Sequence, residues 1–197
     1  METLILASQS PRRQEILREM GILFDVLPSR YEEDNGRAVP PETLVRIQAE
    51  GKARETAART GGGRLVLAAD TVVVLAGKVL GKPRDAADAA RMLAALSGKT
   101  HLVMTGMALV RGRWIKSGTE VTEVTFRTLS KEDIDRYIRT GEPMDKAGAY
   151  AIQGIGGQFV TGIRGSRSNV IGLPKQRVLA FLEAAEKEAG HEDFRDG

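Results

Sequence analysis

Four stretches of this chain carry residues that chain folding alone does not call for. The first is Asp70, in Val66-Leu67-Ala68-Ala69-Asp70-Thr71-Val72-Val73-Val74. Aspartate is depleted in strands, and burying an unpaired carboxylate is costly. Strand alternation puts Asp70 on one face with Val66, Ala68, Val72 and Val74. A metal ion, a lysine or a bulge open to water must compensate it. A buried ion pair would serve stability alone, but an aspartate amid so much valine favours a functional carboxylate.

The second stretch is Ser8-Gln9-Ser10-Pro11-Arg12-Arg13. Ser10 has the position of a helix N-cap and Pro11 that of the first helical residue. Arg12 and Arg13 then fall in the first turn, where the helix dipole prefers acidic groups. Free backbone N–H groups, two hydroxyls (Ser8 and Ser10) and two guanidiniums suit a phosphate. Solvated arginines paired with Glu15 or Glu19 are the alternative.

The third is Gly81-Lys82-Pro83, where a hairpin returns Lys82 toward Asp70 to neutralise it or to bind phosphate. The fourth runs from Glu142 to Gly154. Gln153 offers both a donor and an acceptor to a base edge, while Asp145-Lys146 reads equally as a local pair on a surface loop. Two look-alikes carry little weight. Gly98-Lys99-Thr100 lacks the upstream glycine and the strand-to-helix order of a P-loop. Gly154-Ile155-Gly156-Gly157 lacks the context of a dinucleotide fingerprint.

The elements that must hold these residues alternate between strand and helix. Strands are expected at Thr3 to Ala7, Phe24 to Leu27, Leu65 to Leu75, Val79-Leu80, Leu102 to Val110, Trp114 to Phe126 and Gln158 to Ile163. Helices are expected from Pro11 to Met20, from Pro41 to about Arg59, around Ala89 to Leu96, after Ser130, and after Pro174. Ile134, Tyr137 and Ile138 form one buried stripe, and Val178, Leu179, Leu182 and Ala185 another. The hairpins require antiparallel pairs, so the sheet is mixed and the class is α/β. One domain over residues 1–189 is expected, with a frayed tail over 190–197.

Composition narrows the function classes. The chain has 197 residues, no cysteine and two histidines, His101 and His191. Disulfides, thiolate metal sites and cysteine nucleophiles are excluded, and the composition fits a reducing cytoplasm. A histidine-dependent triad would rest on His101, since His191 lies in a polar tail. A net charge of +3 and 5% aromatic residues give no basic aromatic platform for nucleic acid. No apolar run reaches membrane-spanning length, and Met1-Glu2-Thr3 lacks the basic start of a signal peptide.

Ala7 to Arg13, Ala69-Asp70-Thr71-Val72-Val73, Gly81-Lys82-Pro83, and Asp145-Lys146-Ala147-Gly148-Ala149-Tyr150-x-Ile152-Gln153-Gly154, taken in that order, resemble the Maf family of nucleoside triphosphate pyrophosphatases. The resemblance runs from Leu4 to about Leu182. It implies an elongated mixed sheet flanked by helices, with a cleft between two lobes, related to inosine triphosphate pyrophosphatases. It implies hydrolysis of a nucleoside triphosphate to the monophosphate and pyrophosphate with Mg²⁺ or Mn²⁺. Asp70 matches the catalytic aspartate, assigned as proton acceptor or metal ligand, and Glu33 a further acidic residue at the metal. Lys52 and Lys82 match phosphate-side lysines, beside Ser8, Ser10 and Arg13. Arg12, Thr71 and Gln153 match the specificity residues of the branch that prefers dTTP and UTP; another branch acts on 7-methyl-GTP. Many relatives carry a tyrosine pair where this chain has Gly165-Ser166-Arg167-Ser168-Asn169. A homodimer is common in the family, and a non-catalytic nucleotide-binding regulator of cell division is the competing role.

Overall fold

The computed structural model describes residues 2–192. The chain runs through β1 (Leu4–Leu6), α1 (Pro11–Glu19), β2 (Phe24–Val26), α2 (Pro41–Arg59), β3 (Val66–Leu75) and β4 (Lys78–Leu80). It continues through α3 (Ala86–Leu96), β5 (Thr100–Arg111), β6 (Trp114–Phe126), α4 (Lys131–Arg139), β7 (Val160–Arg164), α5 (Arg167–Ile171) and α6 (Lys175–Glu192). Short 3-10 turns at Glu142–Asp145, Ala147–Ala149 and Ile155–Phe159 link α4 to β7. Gln158 and Phe159 belong to the last of these, so the strand expected from Gln158 begins at Val160. The part of the expected frayed tail over residues 193–197 lies outside the described residues; α6 itself is described to Glu192.

One mixed sheet orders its strands β2-β1-β3-β5-β6-β7. The first three are parallel, and β5, β6 and β7 add antiparallel. One edge of β3 is lined by β5 from Val66 to Val74. The other edge is shared. β1 pairs with Val66 and Leu67, and β4 pairs with Val73 to Leu75. Between them the middle of β3, with Asp70 and Thr71, has no strand neighbour on that side among the described residues. This interruption leaves a gap in the sheet edge between β1 and β4.

Strand alternation then sorts the helices. Even-numbered β3 residues face α2, whose Val45, Ala49 and Ala53 pack on Val66, Ala68, Val72 and Val74. Odd-numbered residues face the other side. There, α1 and α6 cover Leu67 and Ala69 at one end, and α3 and α4 cover Val73 at the other. In α6 the buried stripe is Val178, Phe181 and Ala185 with Leu182 beside them, whereas Leu179, expected inside, is 50% exposed. The i, i+3, i+4, i+7 period starting at Val178 passes over position 179.

Gly106 lies opposite Asp70 in the β3–β5 register. A Cβ there would lie 2.2 Å from the Val45 carbonyl, so α2 rests directly on the sheet backbone. His101 is buried at 2% exposure among Phe126 and Tyr150, and shares a 2.8 Å hydrogen bond between Nε2 and the Tyr150 hydroxyl. Among the described residues it hydrogen-bonds to no serine or aspartate, and so builds no triad there. Burial pushes its pKa down to about 4.

Two outcomes are expected. Gly106→Ala drives α2 off the sheet and destabilises by about 1–3 kcal/mol, read by thermal melting; an unchanged melt would refute the close approach. His101 is neutral in the fold and protonates more readily when unfolded. Its contribution is therefore complete above about pH 6.5 and is lost as the pH falls toward about 4, on the order of 3 kcal/mol. Urea titrations across that range should show the loss, and His101→Gln should flatten it.

Candidate active site

The interrupted edge of β3 opens into a cavity of about 750 Å³. Ser8, Ser10, Arg12, Arg13, Glu33, Lys52, Asp70, Thr71, Lys82 and Gln153 all line it. The structure thus brings together every candidate residue, although they come from elements far apart in the chain.

Asp70 is compensated by a lysine. The Lys52 ammonium sits 2.7 Å from Asp70 Oδ1 and 2.6 Å from Glu33 Oε1. Asp70 is 5% exposed and Lys52 8% exposed. Lys52 follows Val45 and Ala49 on the face of α2 that meets the sheet, which carries its ammonium onto Asp70. Of its three N–H donors two are used, leaving one for the cavity. Lys82 has no hydrogen bond or ion pair among the described residues, and its charge reaches Glu33 through space. Burial works to raise the Glu33 carboxyl. The charge and hydrogen bond of Lys52, with Lys82 and Arg13 behind them, outweigh burial and hold it below the usual carboxylate value.

The loop bearing Glu33 is tied to the same helix. Gln48, one turn before Lys52, accepts from the Asp34 N–H at 3.2 Å and donates to Asn35 at 2.9 Å. Glu55, on the far side of Lys52, accepts from the Ser29 hydroxyl and the Arg30 N–H, both at 2.8 Å. Sequence reasoning missed both residues. Their i−4 and i+3 spacing from Lys52 was the available signal.

On the opposite face of β3 a second network holds Arg13. Its Nε donates to the Gly172 carbonyl (2.8 Å), one terminal nitrogen to Ser8 Oγ (3.1 Å) and the other to Thr71 Oγ1 (3.1 Å). Thr71 is linked in turn to Thr105, whose hydroxyl donates to the Asn169 carbonyl. The Asn169 amide ties α5 to the Val103 and Glu120 carbonyls. Arg13 therefore joins α1, β3 and the end of α5. Among the described residues Arg12 makes only a long 3.4 Å contact, to the Ile171 carbonyl. Neither arginine pairs with Glu15 or Glu19; Glu19 is held by Lys175. Ser10 is the N-cap by position, but its hydroxyl makes no capping bond. Instead its N–H donates to Ser8 Oγ at 3.2 Å.

The arrangement is one of opposite charges set to meet an anion. Two carboxylates stand on one wall, and Arg12, Arg13 and Lys82 line the same cavity. Among the described residues no three acidic or histidine side chains gather to hold a metal by themselves. Asp70 and Glu33 each keep one oxygen with no hydrogen bond among the described residues. Two carboxylates plus phosphate oxygens from a ligand are the donor set that suits Mg²⁺, which is bound less by all-protein cages. No described helix is long and apolar enough to cross a membrane.

Known proteins share this chain's sequence over most of its length. The model of the Maf-like protein family matches residues 3–185. A dTTP/UTP pyrophosphatase of Anaeromyxobacter dehalogenans (strain 2CP-C) is 52% identical over 187 residues, covering 92% of this chain and 93% of that protein. The dTTP/UTP pyrophosphatase of Escherichia coli O157:H7 is 47% identical over 197 residues, covering 100% of both. Among solved structures, the Staphylococcus aureus Ham1 protein matches at a TM-score of 0.50 and 14% identity, over 93% of this chain and 100% of that one, a likeness of fold. On the family model and on these identities, the chain belongs to the Maf family.

Proposed function

We propose that this protein is a nucleoside triphosphate pyrophosphatase that hydrolyses dTTP and UTP to the monophosphate and pyrophosphate. One observation carries the reading: a buried aspartate in mid-strand, ion-paired to Lys52, reaches a cavity lined by Arg12, Arg13 and Lys82. The names borne by relatives of about half-identical sequence support the substrates.

In this reading the triphosphate lies against Lys82, Arg12, Arg13 and the N-terminus of α1, where N–H groups and charge favour phosphate oxygens. Ser8 and Ser10 supply hydroxyls to the same end. Asp70 accepts a proton from a water molecule. The water oxygen forms a bond to the α-phosphorus, and the bond from that phosphorus to the bridging oxygen breaks, so the electron pair leaves with pyrophosphate. Lys52 fixes the orientation of Asp70 and Glu33 and presents its third N–H to the phosphates. Asp70 and Glu33 would hold a divalent cation such as Mg²⁺ or Mn²⁺, which, when bound, supplies charge neutralisation at the phosphate oxygens.

Gln153 reads the base. Its amide has no protein partner among the described residues, so both its donor and its acceptor remain for a ligand. Thr71 acts differently, because its hydroxyl is bonded to Arg13 and Thr105; it sets the place of Arg13 and thereby the seat of the nucleotide. Arg12, held among the described residues only by its long contact to Ile171, is the freer guanidinium to meet the substrate. We place the reaction in the cytoplasm, in keeping with a cysteine-free chain. A homodimer would cover the exposed edge at Leu23 and Val26.

A panel of nucleoside triphosphates with Mg²⁺ or Mn²⁺, assayed for both products, tests the reading. Pyrophosphate should appear fastest from dTTP and UTP, and Asp70→Asn, whose Lys52 still has Glu33 as an ion-pair partner, should lower kcat by about 100- to 10,000-fold when rates are referred to the folded fraction read by circular dichroism. Nucleotide recovered intact would favour a binding regulator, a preference for 7-methyl-GTP would move the chain to another branch, and full activity in Asp70→Asn would end the catalytic assignment.

A further inference from the structure

Gln153 stands in a loop whose backbone is held on both sides by one acidic side chain and one tyrosine. Glu142 Oε1 accepts hydrogen bonds from the Tyr137 hydroxyl (2.7 Å) and the Gly156 N–H (3.0 Å). Its Oε2 accepts from the Ile155 N–H (3.0 Å). The Tyr137 hydroxyl, in turn, accepts from the Ala151 N–H at 3.2 Å. The bonded amides at 151, 155 and 156 bracket Gln153.

The seat is close-fitting. A Cβ on Gly154 would lie 2.3 Å from Glu142 Oε2, and one on Gly156 would lie 2.5 Å from the Tyr137 hydroxyl. The glycine-rich run that resembles a nucleotide fingerprint thus wraps around the chain's own carboxylate: two successive N–H groups take an internal anion. Tyr137 is 1% exposed, and Phe159 meets its ring edge-to-face at 5.0 Å. Ile152, the neighbour of Gln153, is buried in the same core. The backbone around Gln153 is therefore fixed, while Gln153 itself is exposed to the cavity.

We propose that Glu142 is a positioning residue for base selection: its carboxylate, with Tyr137, fixes the 151–156 loop so that the Gln153 amide meets the base in one place. The inference rests on the reading of Gln153 given above and deepens it. Glu142 does not line the cavity. It acts through the loop, so it alters the preference among bases and not the attack on the phosphate. No other side chain bonds to the Ile155 or Gly156 N–H among the described residues, so removal of the carboxylate leaves these donors unpaired and the loop free to shift.

The test is a double-mutant cycle on the preference for dTTP over dCTP, whose base reverses the donor and acceptor at ring positions 3 and 4. Gln153→Ala should reduce the ratio of kcat/KM values by about 3- to 10-fold, the worth of one neutral hydrogen bond. Glu142→Ala should reduce it similarly, mainly through KM for dTTP. The double variant should lose no more than either single one. Glu142→Gln keeps the shape and one acceptor, and should fall between; it also carries the comparison if the alanine variant does not fold. A folded Glu142 variant that keeps the full preference while Gln153→Ala loses it overturns the inference, as does full additivity. If Gln153→Ala itself keeps the preference, the reading of Gln153 fails first, and the role of Glu142 fails with it.

Discussion

The ion pair between Lys52 and Asp70 is the constraint around which the rest is built. A carboxylate at the middle of a valine-rich strand is tolerated because an ammonium from the facing helix lies 2.7 Å away. Breaking such a pair typically costs about 3–5 kcal/mol, since one charge is left alone in the interior. The geometry that permits it is specific. Gly106 lets α2 touch the sheet beside Asp70, and the helical period then aims Lys52 at the strand. The same ammonium recruits Glu33 from a long polar segment, which Gln48 and Glu55 hold in place. One lysine thus turns two isolated acids into a single wall of the cavity.

The sheet supplies the second half of the arrangement. Where β1 ends and β4 has not yet begun, β3 shows its edge to the cavity. Successive residues of a strand face opposite sides, so Asp70 points to the α2 layer and Thr71 to the Arg13 network. At this gap both sides open into one space. Carboxylates, paired to Lys52, come from one layer and guanidiniums from the other, with no ion pair between the two sets among the described residues. A continuous sheet could present only one of these faces to a ligand.

The sequence made the local parts legible. Asp70 among valines and Pro11 opening a helix with two arginines each follow from short-range rules, whereas Lys52 and Glu33 come only through the resemblance to a family. What it did not disclose depends on register and on irregular backbone. The contact of Arg13 with Gly172 spans 159 residues and needs α1 and α5 to meet. The Thr71–Thr105 bond needs the β3–β5 register, although a threonine in the apolar run of β5 was a visible hint. The 3-10 turns around Glu142 have no period to read, so the sequence names no partner for this carboxylate within the stretch. Simple apolarity puts Leu179 inside, whereas the phase set by Phe181 and Ala185 leaves it exposed.

The central claim is that water delivered by Asp70 attacks the α-phosphorus and that pyrophosphate leaves. Hydrolysis of dTTP in ¹⁸O-enriched water, followed by mass spectrometry of both products, tests it most directly. The account predicts one labelled oxygen in the monophosphate and none in pyrophosphate. Label in pyrophosphate, or orthophosphate as the released product, would contradict it.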